Sequence, residues 1–297
     1  MANRYLIATG NWNGAVWAAT SGGTAGSAAT PTASDDVYLS PNLVVTLTAD
    51  AECNSILLAA PPMSPYGYIK LNGNDLHVFG NATTECTIDG DGTLTVDGNY
   101  TAHSDTNKFP SLIVLNTSGN RTFTTSNRAF NDVRINMSGT NEALNITGSP
   151  IFRSLVIQSN NSAAHTVNFG SGATVTTNKF VAIGSSSSNK LIVKPSAGSS
   201  TIALSSGGST YGQFVDMQVS ASGSGVPKYI GANSTQSSGM GWLLQDPPKI
   251  STLVDPLTTA PTSNTNWSVV QDGSGITQVT NGHGGGGYNI RGPGLER

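Results

Sequence analysis

The chain has 297 residues, a formal charge of −3 and only 10% charged side chains, against about 25% in an ordinary soluble domain. No basic surplus supports phosphate contacts, no charge-rich signature supports wholesale disorder, and no run approaches 18 apolar residues. Nucleic-acid binding, a disordered chain and a membrane-spanning helix are therefore not expected.

Residues 1–40 suit an end piece. Tyr5 to Ala8 is the only apolar run near the start, shorter than the 7 to 15 residues of a secretory core, so synthesis and folding in a cytoplasm are expected. Trp12 and Trp17 stand in a stretch of small residues and are expected to plug an open apolar core. Residues 21–32 form a Gly, Ala, Ser and Thr loop, and 31–37 is expected to begin the first strand.

Residues 41–245 hold strand after strand. Short β-branched runs, often alternating, occupy 43–48, 55–58, 68–71, 75–79, 92–97, 111–115, 132–136, 154–158, 190–194 and 214–219. Gly, Asn, Ser and Asp separate them, and no stretch carries a helical apolar stripe. Phe109, Phe130, Phe152, Phe180 and Phe214 each lead an apolar strand, 21, 22, 28 and 34 residues apart. Cys53 heads an earlier segment of the same form. A loose period with insertions at turns is the signature of a solenoid. The expected fold is all-β, a right-handed parallel β-helix with terminal caps. Its rungs run about 4.8 Å apart and the five phenylalanines stack as an inward ladder. The alternative is a β-sandwich, whose strands also recur every 8–12 residues. Trp242 follows the last turn as the second cap. Residues 246–297, rich in Pro and Gly with a short apolar run near Trp267, read as a C-terminal extension.

Three sequence pieces carry a resemblance. They are Gly10-Asn-Trp-Asn13 with Trp17, 20–23 and 31–37; the Phe-led repeat; and Tyr229-Ile-Gly-Ala-Asn-Ser-Thr235 with Gly239-Met-Gly-Trp242. Together, over roughly residues 5–245, they resemble the β-helical structural proteins of tailed bacteriophages, and more distantly the secreted β-helix adhesins of bacteria. The resemblance implies a virion subunit of a tail fibre, tail tip or baseplate that supports host attachment. The implied partners are other virion proteins, further copies of the chain (a trimer favoured) and a host-surface glycan. A capsid decoration or head-fibre protein and a polysaccharide-degrading tailspike are the alternatives. The location implied is the virion, with an extracellular or cell-surface site for the adhesin branch.

The resemblance supplies no catalytic residue, and the residues themselves suggest none. Asp89 to Asp97 lacks the glycine at position 6 and the glutamate at position 12 of a calcium loop, so it reads as a turn. Carboxylate pairs for glycan cleavage could come from Asp89, Asp91, Asp97 and Asp132, or from Asp216 with Glu142. His77 is expected to face solvent, and His103, His165 and His283 have no Ser or Cys partner in a recognisable motif. Residues 282–287 lack the Lys-Ser/Thr of a phosphate loop. Tyr66, Tyr68, Tyr100, Tyr211 and Tyr229 could offer rings to sugars. Cys53 and Cys86 read as buried thiols. No catalytic, cofactor or metal site is therefore expected.

Overall fold

The computed structural model describes residues 1–58, 67–83, 87–102 and 109–247. Met1–Gln245 forms one compact unit. The second unit begins at Asp246, and of it only Asp246 and Pro247 are described; Tyr66, Cys86, His103, Trp267 and His283 lie outside the described residues. The described chain holds strands and turns and no helix.

Two large sheets wrap a common apolar core as a β-solenoid. One has eleven strands, from Asn3–Leu6 through Asp36–Leu39, Ser55–Leu58 and Arg121–Thr124 to Val215–Met217. Every neighbouring pair in it is parallel except the outermost, where Trp17–Ala18 runs antiparallel to Tyr5 and Leu6. The other sheet has twelve strands and bends over a corner, so each turn presents three faces in the order first, second, third. Register shifts between Gly90 and Thr93, and between Thr177 and Lys179, mark that corner. A sandwich of antiparallel sheets is incompatible with this pairing.

Alternation explains what each strand buries. On the third face, Leu76, Leu94, Ile113, Val133, Leu155 and Phe180 lie in one inward row. Val78, Val96, Leu115, Ile135, Ile157 and Ala182 lie in the next. On the first face, Ile56, Ala82, Tyr100, Phe123, Ile146 and Phe169 form a third inward row. The residues between point outward, and here threonine and asparagine dominate: Thr83, Thr101, Thr124 and Thr147 make one outer column. Hydroxyl and amide side chains satisfy that solvated face without charge, which accounts for the low charged fraction.

Two details depart from the sequence reading. The first strand is Asn3–Leu6, not 31–37, and it already pairs in register with Asp36–Leu39. The solenoid therefore begins inside residues 1–40, and the cap is a loop inserted after its first two strands.

The aromatic ladder is also shorter than the repeat implied. Phe109, Phe130 and Phe152 do stack, with centroids 4.3 and 5.5 Å apart. Phe152, however, pairs with Thr177, while Phe180 pairs with Leu155 on the third face. Phe214 is half-buried at the corner between third and first faces, with φ 54°. Turn insertions shift the later strands relative to their leading aromatics, so equal sequence patterns land on different rungs.

Both ends carry tryptophan. Trp17 is fully buried and donates its indole N–H to the Trp12 carbonyl at 2.6 Å, and the two rings meet edge to face at 5.0 Å. At the other end Trp242 donates to the Val219 carbonyl at 2.8 Å and lies 5.8 Å from Phe180.

Candidate functional site

Three places bring polar groups together, and each is assembled by stacking rather than by a local motif. The first is buried. Glu142 precedes Ala143–Thr147, Thr117 ends Pro110–Thr117, Ser159 ends Ile151–Ser159 and His165 opens His165–Phe169. Parallel register places them at one corner. The Thr117 hydroxyl donates to Glu142 Oε1 at 2.8 Å, and His165 Nε2 lies 3.8 Å from the same oxygen. The Gly139 carbonyl, 2.9 Å from Nε2, can only accept, so Nε2 carries the hydrogen. In the neutral ring Nδ1 then accepts from the Ser159 hydroxyl at 2.7 Å. His165 thus has a serine partner, although no recognisable motif announces it. The partner comes from the preceding strand, six residues back, across a turn that no motif describes.

A serine, an imidazole and a carboxylate in one chain of contacts resemble the parts of a nucleophilic triad. Their setting differs. Both side chains of the His165–Glu142 pair have no exposed surface, and Glu142 Oε2 is buried without a hydrogen-bond partner. Ser159 is buried as well. The cluster ties three successive turns together at a corner where the inward rows give way to polar groups.

The second place is outward, on the third face. His77 and Asp97 meet at 3.0 Å, Asn116 donates to Asp97 at 3.1 Å, and Asn136 donates to Asn116 at 2.9 Å. His77 is one-third exposed, as its alternating strand implied, and its ring lies 3.9 Å from that of the exposed Phe79. Two further sequence-suggested carboxylates are engaged by side chains of neighbouring turns. Asp132 is held by two bonds from Arg153, at 2.7 and 2.8 Å, and Asp91 accepts from Ser111. Asp216 aligns with Ile192, Thr166 and Ala143 on successive rungs. Three rungs separate it from the turn of Glu142 by about 14 Å, and the 5–9.5 Å spacing of glycosidase carboxylates is not met. Among the described residues no group of three or more His, Cys, Asp or Glu converges as a metal site.

Of the tyrosines suggested for sugars, Tyr100 is buried on Phe123. Tyr68, Tyr211 and Tyr229 are half-buried on separate turns. Sequence reasoning did not single out Tyr5 and Tyr38, which stack outward at 4.6 Å. Cys53 is buried.

The third place is a recess of about 300 Å³ beside the N-terminal cap. Trp12 and Asn13 form one wall, Thr30 to Thr32 the other, and Thr48 to Glu52 the floor. Asn13 accepts from the Thr48 hydroxyl at 3.0 Å and so fixes the cap against the corner. Asp50 and Glu52 make this recess acidic. Asp50 Oδ1 accepts the Asp75 N–H at 2.9 Å, which orients its carboxylate.

Compared with known proteins, the chain matches no family model, no curated protein and no solved structure at a significant level.

Proposed function

We propose that the chain is a structural subunit of a bacteriophage virion, in a tail fibre, tail tip or baseplate, that supports attachment to the host. The observation that carries the reading is a continuous parallel backbone ladder whose ends are covered by Trp17 and Trp242. Such a ladder has few free edges, and its outer Thr and Asn columns can vary without disturbing the inward rows. The three sequence pieces that resemble virion β-helices support the same reading, and assembly as a homotrimer belongs to it.

Imaging of particles labelled with an antibody to this chain tests the proposal. Label at the tail or its tip is expected. Label spread over the head would reassign the chain as a decoration protein, and the absence of label from every particle would overturn the virion reading. Release of reducing ends from host polysaccharide by the purified protein would instead make it a degrading spike.

A further inference from the structure

The cap covers the first turn unevenly. On the first face, Trp17–Ala18 pairs with Tyr5 and Leu6 and closes that edge. On the second face, Gly10–Asn11 lies above Val44–Thr46, and Val16 lies over Gly10. The third face has no strand from the first turn, because the chain leaves the solenoid at Trp12 to build the cap. Ala51–Cys53 therefore starts that face, and its sheet partner among the described strands is Leu76–Val78 alone.

Parallel pairing directs alternate residues to opposite neighbours. Ala51 N–H bonds the Asp75 carbonyl, and the Cys53 carbonyl accepts from Phe79 N–H, so both residues face the next turn. Glu52 N–H and C=O then face the other way. No described backbone group pairs with them there. On either side the edge is already taken: Trp12 N–H bonds the Thr46 carbonyl and Asn54 N–H bonds the Asp35 carbonyl. The open stretch between these two bonds is the floor of the recess.

We infer that this recess is a strand-addition site for a short extended segment of a partner protein carrying lysine or arginine. The backbone of Glu52 offers one donor and one acceptor in ladder geometry. Trp12 and Pro31 on the walls and Ala49 on the floor limit what enters to a narrow chain, and Asp50 and Glu52 select positive side chains. The described lining residues include no lysine or arginine to neutralise those carboxylates. The inference is independent of the particle in which the solenoid serves.

The test is titration of the full chain with an acetylated, amidated pentapeptide of alternating threonine and lysine, followed by calorimetry and by exchange of the Glu52 amide. Saturable binding with slowed exchange at Glu52 is expected. N-methylation of the central peptide residue, which removes its ladder donor, should weaken binding about tenfold. Glu52→Gln with Asp50→Asn should weaken it by a similar factor, and the fold is kept because the amide oxygen introduced by Asp50→Asn can still accept the Asp75 N–H. A peptide with glutamate for lysine should not bind. Absence of binding by the lysine peptide, indifference to N-methylation, or equal binding of the glutamate peptide would each overturn the inference.

Discussion

Phe152 and Phe214 look alike in sequence, yet their surroundings give them opposite roles. Phe152 is fully buried against Phe130, so Phe152→Ala should cost about 3–5 kcal/mol through lost contacts and the cavity left behind. Phe214 sits at φ 54°, a conformation that costs a bulky residue about 1–2 kcal/mol, and it is only half-buried. Phe214→Gly relieves that cost while giving up modest burial, and its stability should stay within about 1 kcal/mol of the parent. Urea unfolding of the two variants measures the contrast, and an equal loss would return Phe214 to the core. The same corner fixes Gly184, where a Cβ would overlap the Phe214 carbonyl. His165 makes the complementary case for a polar residue. His165→Phe keeps an aromatic ring but takes the imidazole partner from the Ser159 hydroxyl and the Gly139 carbonyl in a buried corner. Because a buried group is then left unpaired, a loss of about 3 kcal/mol is expected in the same measurement, and no loss would mean that water reaches the cluster.

At the scale of elements, the two depressed carboxylates mark the two ends of the solenoid. Burial raises Asp35, but bonds from Thr32 and Ala2 and the charge of Arg4 more than offset it, holding the carboxyl below its ordinary value. Burial likewise raises Asp216, and bonds from Ser237, Gln218 and Thr235 outweigh it. A group with a lowered folded value stabilises fully above the unfolded value, here about 4, and loses that contribution as pH falls through the folded value. The terminal turns should therefore loosen below about pH 4 before the middle does. Amide exchange, corrected for intrinsic rates, should rise first around residues 32–36 and 234–237. Asp216→Asn should remove the pH dependence at the second site only, and uniform exchange along the chain would contradict the account. These ends also show what the sequence can and cannot convey. Third-face stretches such as 112–117 and 154–159 are legible because each holds a run of Leu, Ile and Val and alternates in burial over six residues. First-face strands such as Ala82–Thr83 and Tyr100–Thr101 are not, since two residues show no period and register alone defines them. The buried His165 cluster and the open Glu52 edge are hidden for the same reason: one is made by stacking of turns, the other by a strand that a turn does not supply.

For the molecule as a whole, stability is carried between neighbouring turns, so the fate of the ends decides solubility. The Asn3–Leu6 strand would present a free edge were it not paired with Trp17–Ala18, and Trp17 also fills the end of the apolar core. Trp17→Ala keeps the backbone able to pair but removes the side chain that anchors it and its bond to the Trp12 carbonyl. The cap should then detach locally, exposing both an edge and an apolar face, the two features that drive strand-edge association between chains. Sedimentation velocity at rising concentration should show the variant forming assemblies larger than those of the parent, while circular dichroism still reports native strand content. Leu243, 41% exposed, provides the comparison: it lies near the opposite end without filling the core, and Leu243→Ala should leave association unchanged. If Trp17→Ala instead lost its strand content altogether, the cap would be part of the cooperative core of the solenoid and not a cover over its end. If the variant stayed in the parent's state at every concentration, the edge would be protected by something other than Trp17.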